Sequence, residues 1–181
     1  GEYSMTTPQA FIYTGKEKVT VSVTKALAAA GNYAGDDVLS ESASSGTAWE
    51  FSNVVRRVGG TGAVVKAVAL LETTALTPGI TLFLFSGTPT CALNDNAANT
   101  AVLHADAANY LGRVTFPAMA DLGTGDSEAM VTPSLTTGNL PLTFECASAD
   151  TSIYGVAVTR DAITGEAATE ELIIKLTIER D

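Results

Sequence analysis

Near the end of the chain, Leu172, Ile174, Leu176 and Ile178 alternate strictly with Ile173, Lys175, Thr177 and Glu179. A period of two places successive side chains on opposite faces of a sheet, so this run reads as a half-buried antiparallel strand. A helix needs apolar spacings of three and four, and no comparably long stretch shows them. The alternation returns in residues 18–25, where Val19, Val21 and Val23 oppose Thr20, Ser22 and Thr24. It returns again in residues 49–56, with Trp49, Phe51, Asn53 and Val55 on one face. The pattern predicts an all-β protein.

Further strands are expected over residues 10–14, 37–40, 63–73, 80–85, 111–116, 142–147, 152–160 and 171–180. The separators are turn-formers: Gly15-Lys16, the Gly-rich run 58–62, and Thr77-Pro78-Gly79. Such residues supply the positive φ and fixed φ that tight connections need. Residues 27–33 read as an Ala-rich loop with one helical turn. Residues 80–85 are apolar on both faces, which places that strand deep or beneath a covering loop. Two stretches, 86–110 and 117–139, lack strand character, and Asp95 is placed to N-cap a short helix over 96–103. No fixed-period repeat is present. About eight to ten strands at uneven spacing predict a jelly-roll-like, two-sheet antiparallel β-sandwich with two long loops. At 181 residues the chain is expected to form one domain over residues 10–181. Residues 1–9 read as a flexible N-terminal segment, residues 1–4 as a cloning-derived tetrapeptide, and Met5 as the natural start.

The net charge of −10 and pI near 4.4 argue against nucleic acid or an anionic membrane as partner. Binding phosphates takes a basic patch, and the ten Lys and Arg are scattered, Arg56-Arg57 being the sole doublet. That doublet reads as a strand end meeting solvent or an acidic neighbour. Charged residues make up 17% of the chain, below the roughly 25% of typical domains. Thr, Ser, Gly and Asn take their place, a surface suited to packing against neighbours. The start of the chain lacks the charged and apolar regions of a signal peptide, and no apolar run spans a bilayer.

Chemistry-bearing groups are sparse. His104 is the only histidine, and no G-x-S-x-G elbow supplies a nucleophile for it. Cys91 and Cys146 are too far from any ligand pair to suggest zinc; Cys146 shares a face with Leu142 and Phe144, and a bond between the two cysteines stays open. Carboxylates gather at Asn94-Asp95-Asn96 with Asp106, and at Asp121, Asp126 and Glu128. Loop oxygens of this kind bind calcium in some proteins, but Asx side chains more often bond their own backbone, and that is the expectation here. No catalytic residue, metal or other cofactor is expected. Trp49, Tyr110 and Tyr154 are candidates for an aromatic sugar platform, with core burial the stronger expectation for Trp49.

Three stretches carry a resemblance: AGDDVLS with AWEFSNVVR at residues 34–56, LFLFSGTPTCALNDNAANT at 82–100, and GRVTFPAMADLGTGDSEA at 112–129. Together they resemble small virion structural proteins of tailed bacteriophages. The resemblance implies a non-enzymatic capsid decoration or accessory protein. Such a protein is made in the bacterial cytoplasm and carried on the virion. It contacts phage capsid or other virion proteins as a homo-oligomer, a trimer by preference. A carbohydrate-binding module on the virion surface is the alternative. The 86–110 stretch is too apolar for a solvated loop. It is expected to pack on the sheet or across a subunit boundary through Leu93, Val102 and Leu103, with Leu103 inward.

Overall fold

The computed structural model describes residues 16–29, 31–72, 76–123, 125–134 and 139–181. The strand expected at 10–14 and the segment 1–9 lie outside the described residues. The described strands are β1 (Glu17–Ala26), β2 (Val38–Leu39), β3 (Trp49–Phe51), β4 (Thr61–Glu72), β5 (Ile80–Phe85), β6 (Tyr110–Phe116), β7 (Ala120–Asp121), β8 (Asp126–Val131), β9 (Leu142–Glu145), β10 (Ile153–Thr159) and β11 (Glu171–Arg180). Two antiparallel sheets form a β-sandwich. One runs β1-β11-β4-β8-β7 with β9 also on β4; the other runs β2-β10-β5-β6 with β3 also on β10. β8 and β9 pair with opposite ends of β4, and β2 and β3 with opposite ends of β10, so each couple shares one flank.

The pairing is nested. β1 closes on β11, the β2 and β3 flank on β10, β4 on the β8 and β9 flank, and β5 on β6. Successive pairs fall on alternate sheets. The β1–β11 ladder runs unbroken from Glu17↔Arg180 to Ala26↔Glu171, which joins the first and last described strands.

The alternation of β11 has the predicted consequence. Leu172, Ile174, Leu176 and Ile178 are fully buried between the sheets, while Lys175 faces solvent. β5 is buried on both faces for two reasons. Ile80, Leu82 and Leu84 enter the main core, and Phe83 and Phe85 join Val38, Cys91, Val156 and Val158 in a second cluster on the outer face of that sheet. A loop covers this second cluster, as its apolar sequence requires.

Several expectations change. The strand predicted over 49–56 ends at Phe51, because Asn53 adopts a left-handed φ of 58° and turns the chain; Val54 and Val55 are nevertheless buried. The irregular stretch 117–139 contains β7 and β8. β8 alternates Ser127, Ala129 and Val131 inward against Asp126, Glu128 and Met130 outward, and the small inward Ser127 and Ala129 conceal the period. No helix spans 96–103: Asn96 is left-handed at φ 58°, and a single 3-10 turn, His104–Asp106, follows. Residues 27–29 and 31–33 form no helical turn, and Tyr33 instead bridges Ile163. Cys91 and Cys146 are both free and buried, in different apolar clusters.

Candidate functional site

The loop between β5 and β6 lies over the second sheet. Ala92, Leu93, Ala101 and Leu103 pack on the outer cluster, and Tyr110 packs on Phe85 with ring centroids 5.5 Å apart. Val102 points outward and is exposed.

Two buried carboxylates organise this loop, Asp106 from within and Asp95 against its neighbours. Asp106 accepts from the Thr90 backbone N–H and hydroxyl, both at 2.8 Å, and from the Cys91 N–H at 3.1 Å. Asp95 accepts from the Tyr33 hydroxyl at 2.9 Å and from the backbone N–H groups of Ser40 at 2.8 Å and Ala29 at 3.0 Å. One side chain thereby ties the lid to the β1–β2 connection and to the end of β2. Burial raises the Asp95 pKa, and the three donors oppose that rise by favouring the anion. Asn94 Oδ1 accepts the Gly46 N–H at 2.9 Å. These Asx groups bond backbone donors, the role expected of them, and among the described residues no group of three or more His, Cys, Asp or Glu is arranged to hold a metal. Asp121 accepts the Gly123 N–H at 2.8 Å in a local Asx turn. His104 is exposed on the 3-10 turn.

The three aromatic candidates do not assemble. Trp49 is fully buried in the main core, where its indole N–H donates to the Leu39 carbonyl at 3.1 Å. Tyr154 and Tyr110 lie in register on either side of Phe85, and the buried Phe85 ring separates them. Tyr110 lines one groove of about 790 Å³ with Arg113, Met130 and Leu142. Tyr154 lines another of about 500 Å³ with Thr24, Glu41, Thr47, Glu50 and Thr88.

The floor of the second groove holds a charged pair that sequence patterning missed. Lys25 occupies an inward position at the end of β1, almost wholly buried, with its ammonium 5.4 Å from the Trp49 ring centroid. It donates to the Glu41 carboxylate and to the Thr47 carbonyl and hydroxyl. Burial lowers the Lys25 pKa, and Glu41 works against that fall. Burial also pushes Glu41 upward, but hydrogen bonds from Lys25, Ser40 and Thr47 outweigh it and hold the carboxyl at about 2. A carboxyl so acidic keeps no proton to donate near neutrality. The available signal was the parity of Lys25, which continues the inward row of Val19, Val21 and Val23.

At the groove's outer rim, the Tyr154 hydroxyl donates to Asp150 Oδ2 at 2.6 Å, which lowers the Asp150 pKa and raises that of the phenol to about 12. On the far flank of β1, Glu17 accepts from Arg56 at 2.7 Å and Arg180 at 2.9 Å. Arg56 therefore meets an acidic neighbour, but not at a strand end, because β3 stops at Phe51. No helix of the described residues is long and apolar enough to cross a membrane. No protein-family model matches the chain, and no curated protein matches it.

Proposed function

We propose that this chain is a non-enzymatic structural protein of a bacteriophage particle, a jelly-roll capsid decoration or accessory protein that acts through protein–protein contacts as a homo-oligomer, a trimer by preference. The observation that carries this reading is the nested strand pairing. The first described strand pairs with the last and each inner pair lies on the alternate sheet, which supports a rolled-hairpin reading, an architecture used by viral capsid and lectin domains. Fold does not dictate function, so the polar groups also weigh. Asp95 and the Lys25–Glu41 pair tie loops to the strands beside them, and Asp106 braces the β5–β6 loop internally, so the buried polar groups serve structure. The protein's acidic surface suits the outside of a particle better than contact with packaged nucleic acid. Mass spectrometry and electron microscopy of gradient-purified particles test the proposal: the protein is expected on intact virions, and its absence from them would overturn it. Light scattering is expected to report a trimer.

A glycan-binding reading is favoured by one arrangement, the half-buried Tyr154 beside Glu50, Thr47 and Thr88 in an open groove. An aromatic face with carboxylate and hydroxyl partners suits a polyhydroxylated ligand. Trp49 has no part in it. Glycan-array binding that is lost in a folded Tyr154→Ala protein would establish this reading.

A further inference from the structure

Glu166 lies in the connection between β10 and β11. Both of its carboxylate oxygens are buried, and neither meets a hydrogen-bond donor. The charged groups that act on it most strongly are acidic. Glu170 reaches it from the same connection, Asp95 from the β5–β6 loop and Glu72 from the end of β4, while Tyr33 contributes a phenol from the β1–β2 connection. None of the ion pairs among the described residues includes Glu166.

An ionised carboxylate cannot rest there. It has lost water, gained no donor and faces three further carboxyl groups, and each of these disfavours the charge. A proton resolves the conflict. It neutralises Glu166 and supplies the missing donor toward Glu170, whose side chain is within hydrogen-bonding reach. From this geometry we infer that Glu166 is a proton-operated latch, which holds the 163–170 connection closed while it keeps its proton and releases it when that proton leaves.

What the latch holds is visible in the backbone. Leu27 N–H donates to the Glu170 carbonyl at 2.9 Å, and Thr169 N–H donates to the Leu27 carbonyl at 2.9 Å. Tyr33 and Ile163 exchange N–H to carbonyl bonds, both at 3.0 Å. Ala167 N–H donates to Glu170 Oε2 at 3.1 Å, which orients that carboxyl. Beneath these bonds lie the buried Leu27, Tyr33 and Ile163. Burial first, and then the Glu170 charge, push the Glu166 carboxyl up to about 8. A folded-state value above the ordinary one gives a definite sign. The latch's contribution is complete below the ordinary glutamate range and is lost as pH rises through about 8.

A carboxyl-detected NMR titration of the full chain, with Glu166 assigned by loss of its signal in Glu166→Gln, tests the latch directly. The Glu166 carbon is expected to titrate near pH 8 rather than at the ordinary value of 4.5. Hydrogen exchange supplies the structural readout. Between about pH 6 and pH 9, protection of the 163–170 amides should fall in the wild type beyond the intrinsic exchange rate and stay level in Glu166→Gln. Should that variant not fold, Glu170→Gln serves: removing the facing charge should move the Glu166 midpoint down. An ordinary Glu166 midpoint, or equal protection profiles in wild type and variant, would overturn the inference. So would recovery of protection at high pH on adding millimolar calcium, because the cluster would then be a cation site.

Discussion

An alanine methyl at Gly46 would stand 2.1 Å from the Leu93 carbonyl oxygen, a backbone atom held in place by the lid. Gly46→Ala is therefore expected to cost about 2 kcal/mol or more, measured as a lower urea midpoint at unchanged slope. The Lys25–Glu41 pair sets the acid limb of stability. Glu41 titrates at about 2 in the folded chain, below its ordinary 4.5, so its contribution is present above that ordinary value and is lost as pH falls toward about 2. Glu41→Gln should flatten this limb and cost about 3 kcal/mol at neutral pH, since Lys25 then stays buried without a counter-charge. Chemical denaturation across the acid range measures both effects. Burial raises both cysteine thiols to about 11. Neither should react with a thiol reagent until the chain unfolds, and a native reaction at neutral pH would contradict their placement.

Elements depart from their patterns where a single residue changes the backbone or a small side chain hides the period. The left-handed Asn53 cuts the run that begins at Trp49, and Ser127 and Ala129 disguise β8. The lid offers a test at this scale, because adjacent apolar residues have opposite fates. Leu103 packs on the outer cluster and Val102 is exposed. Leu103→Ala should destabilise by about 2 kcal/mol, whereas Val102→Ala should stay within about 0.5 kcal/mol. Equal losses in thermal denaturation would mean that the lid is held by its carboxylate ties alone.

At the scale of the whole molecule, the ladder from Glu17↔Arg180 to Ala26↔Glu171 joins residues near opposite ends of the chain. Closing that ladder orders the whole intervening chain, so folding should be slow for a domain of this size. Stopped-flow refolding is expected on a timescale of about milliseconds to seconds, not microseconds. Deleting residues 171–181 removes the strand that fills the floor of the main core, and it should abolish cooperative unfolding. Retention of a sharp transition would show that the remaining strands form a core of their own.

The alternation of Leu172 to Ile178 and of Val19 to Val23 was enough to determine an all-β chain, because the period of a strand is a local property of the backbone. The apolar character of both faces of β5 was enough to demand a cover, and the apolar loop that follows was enough to nominate one. Which strands pair, and that Trp49, Tyr110 and Tyr154 do not meet, came only with the tertiary structure, since register and strand order depend on contacts between residues far apart in sequence. The same holds for the polar interior. Nothing local distinguishes Asp95, which holds three donors, from Glu166, which holds none. Their protonation is decided by which groups the folded chain brings against them, because the free energy of a buried charge is set by its neighbours and its distance from water.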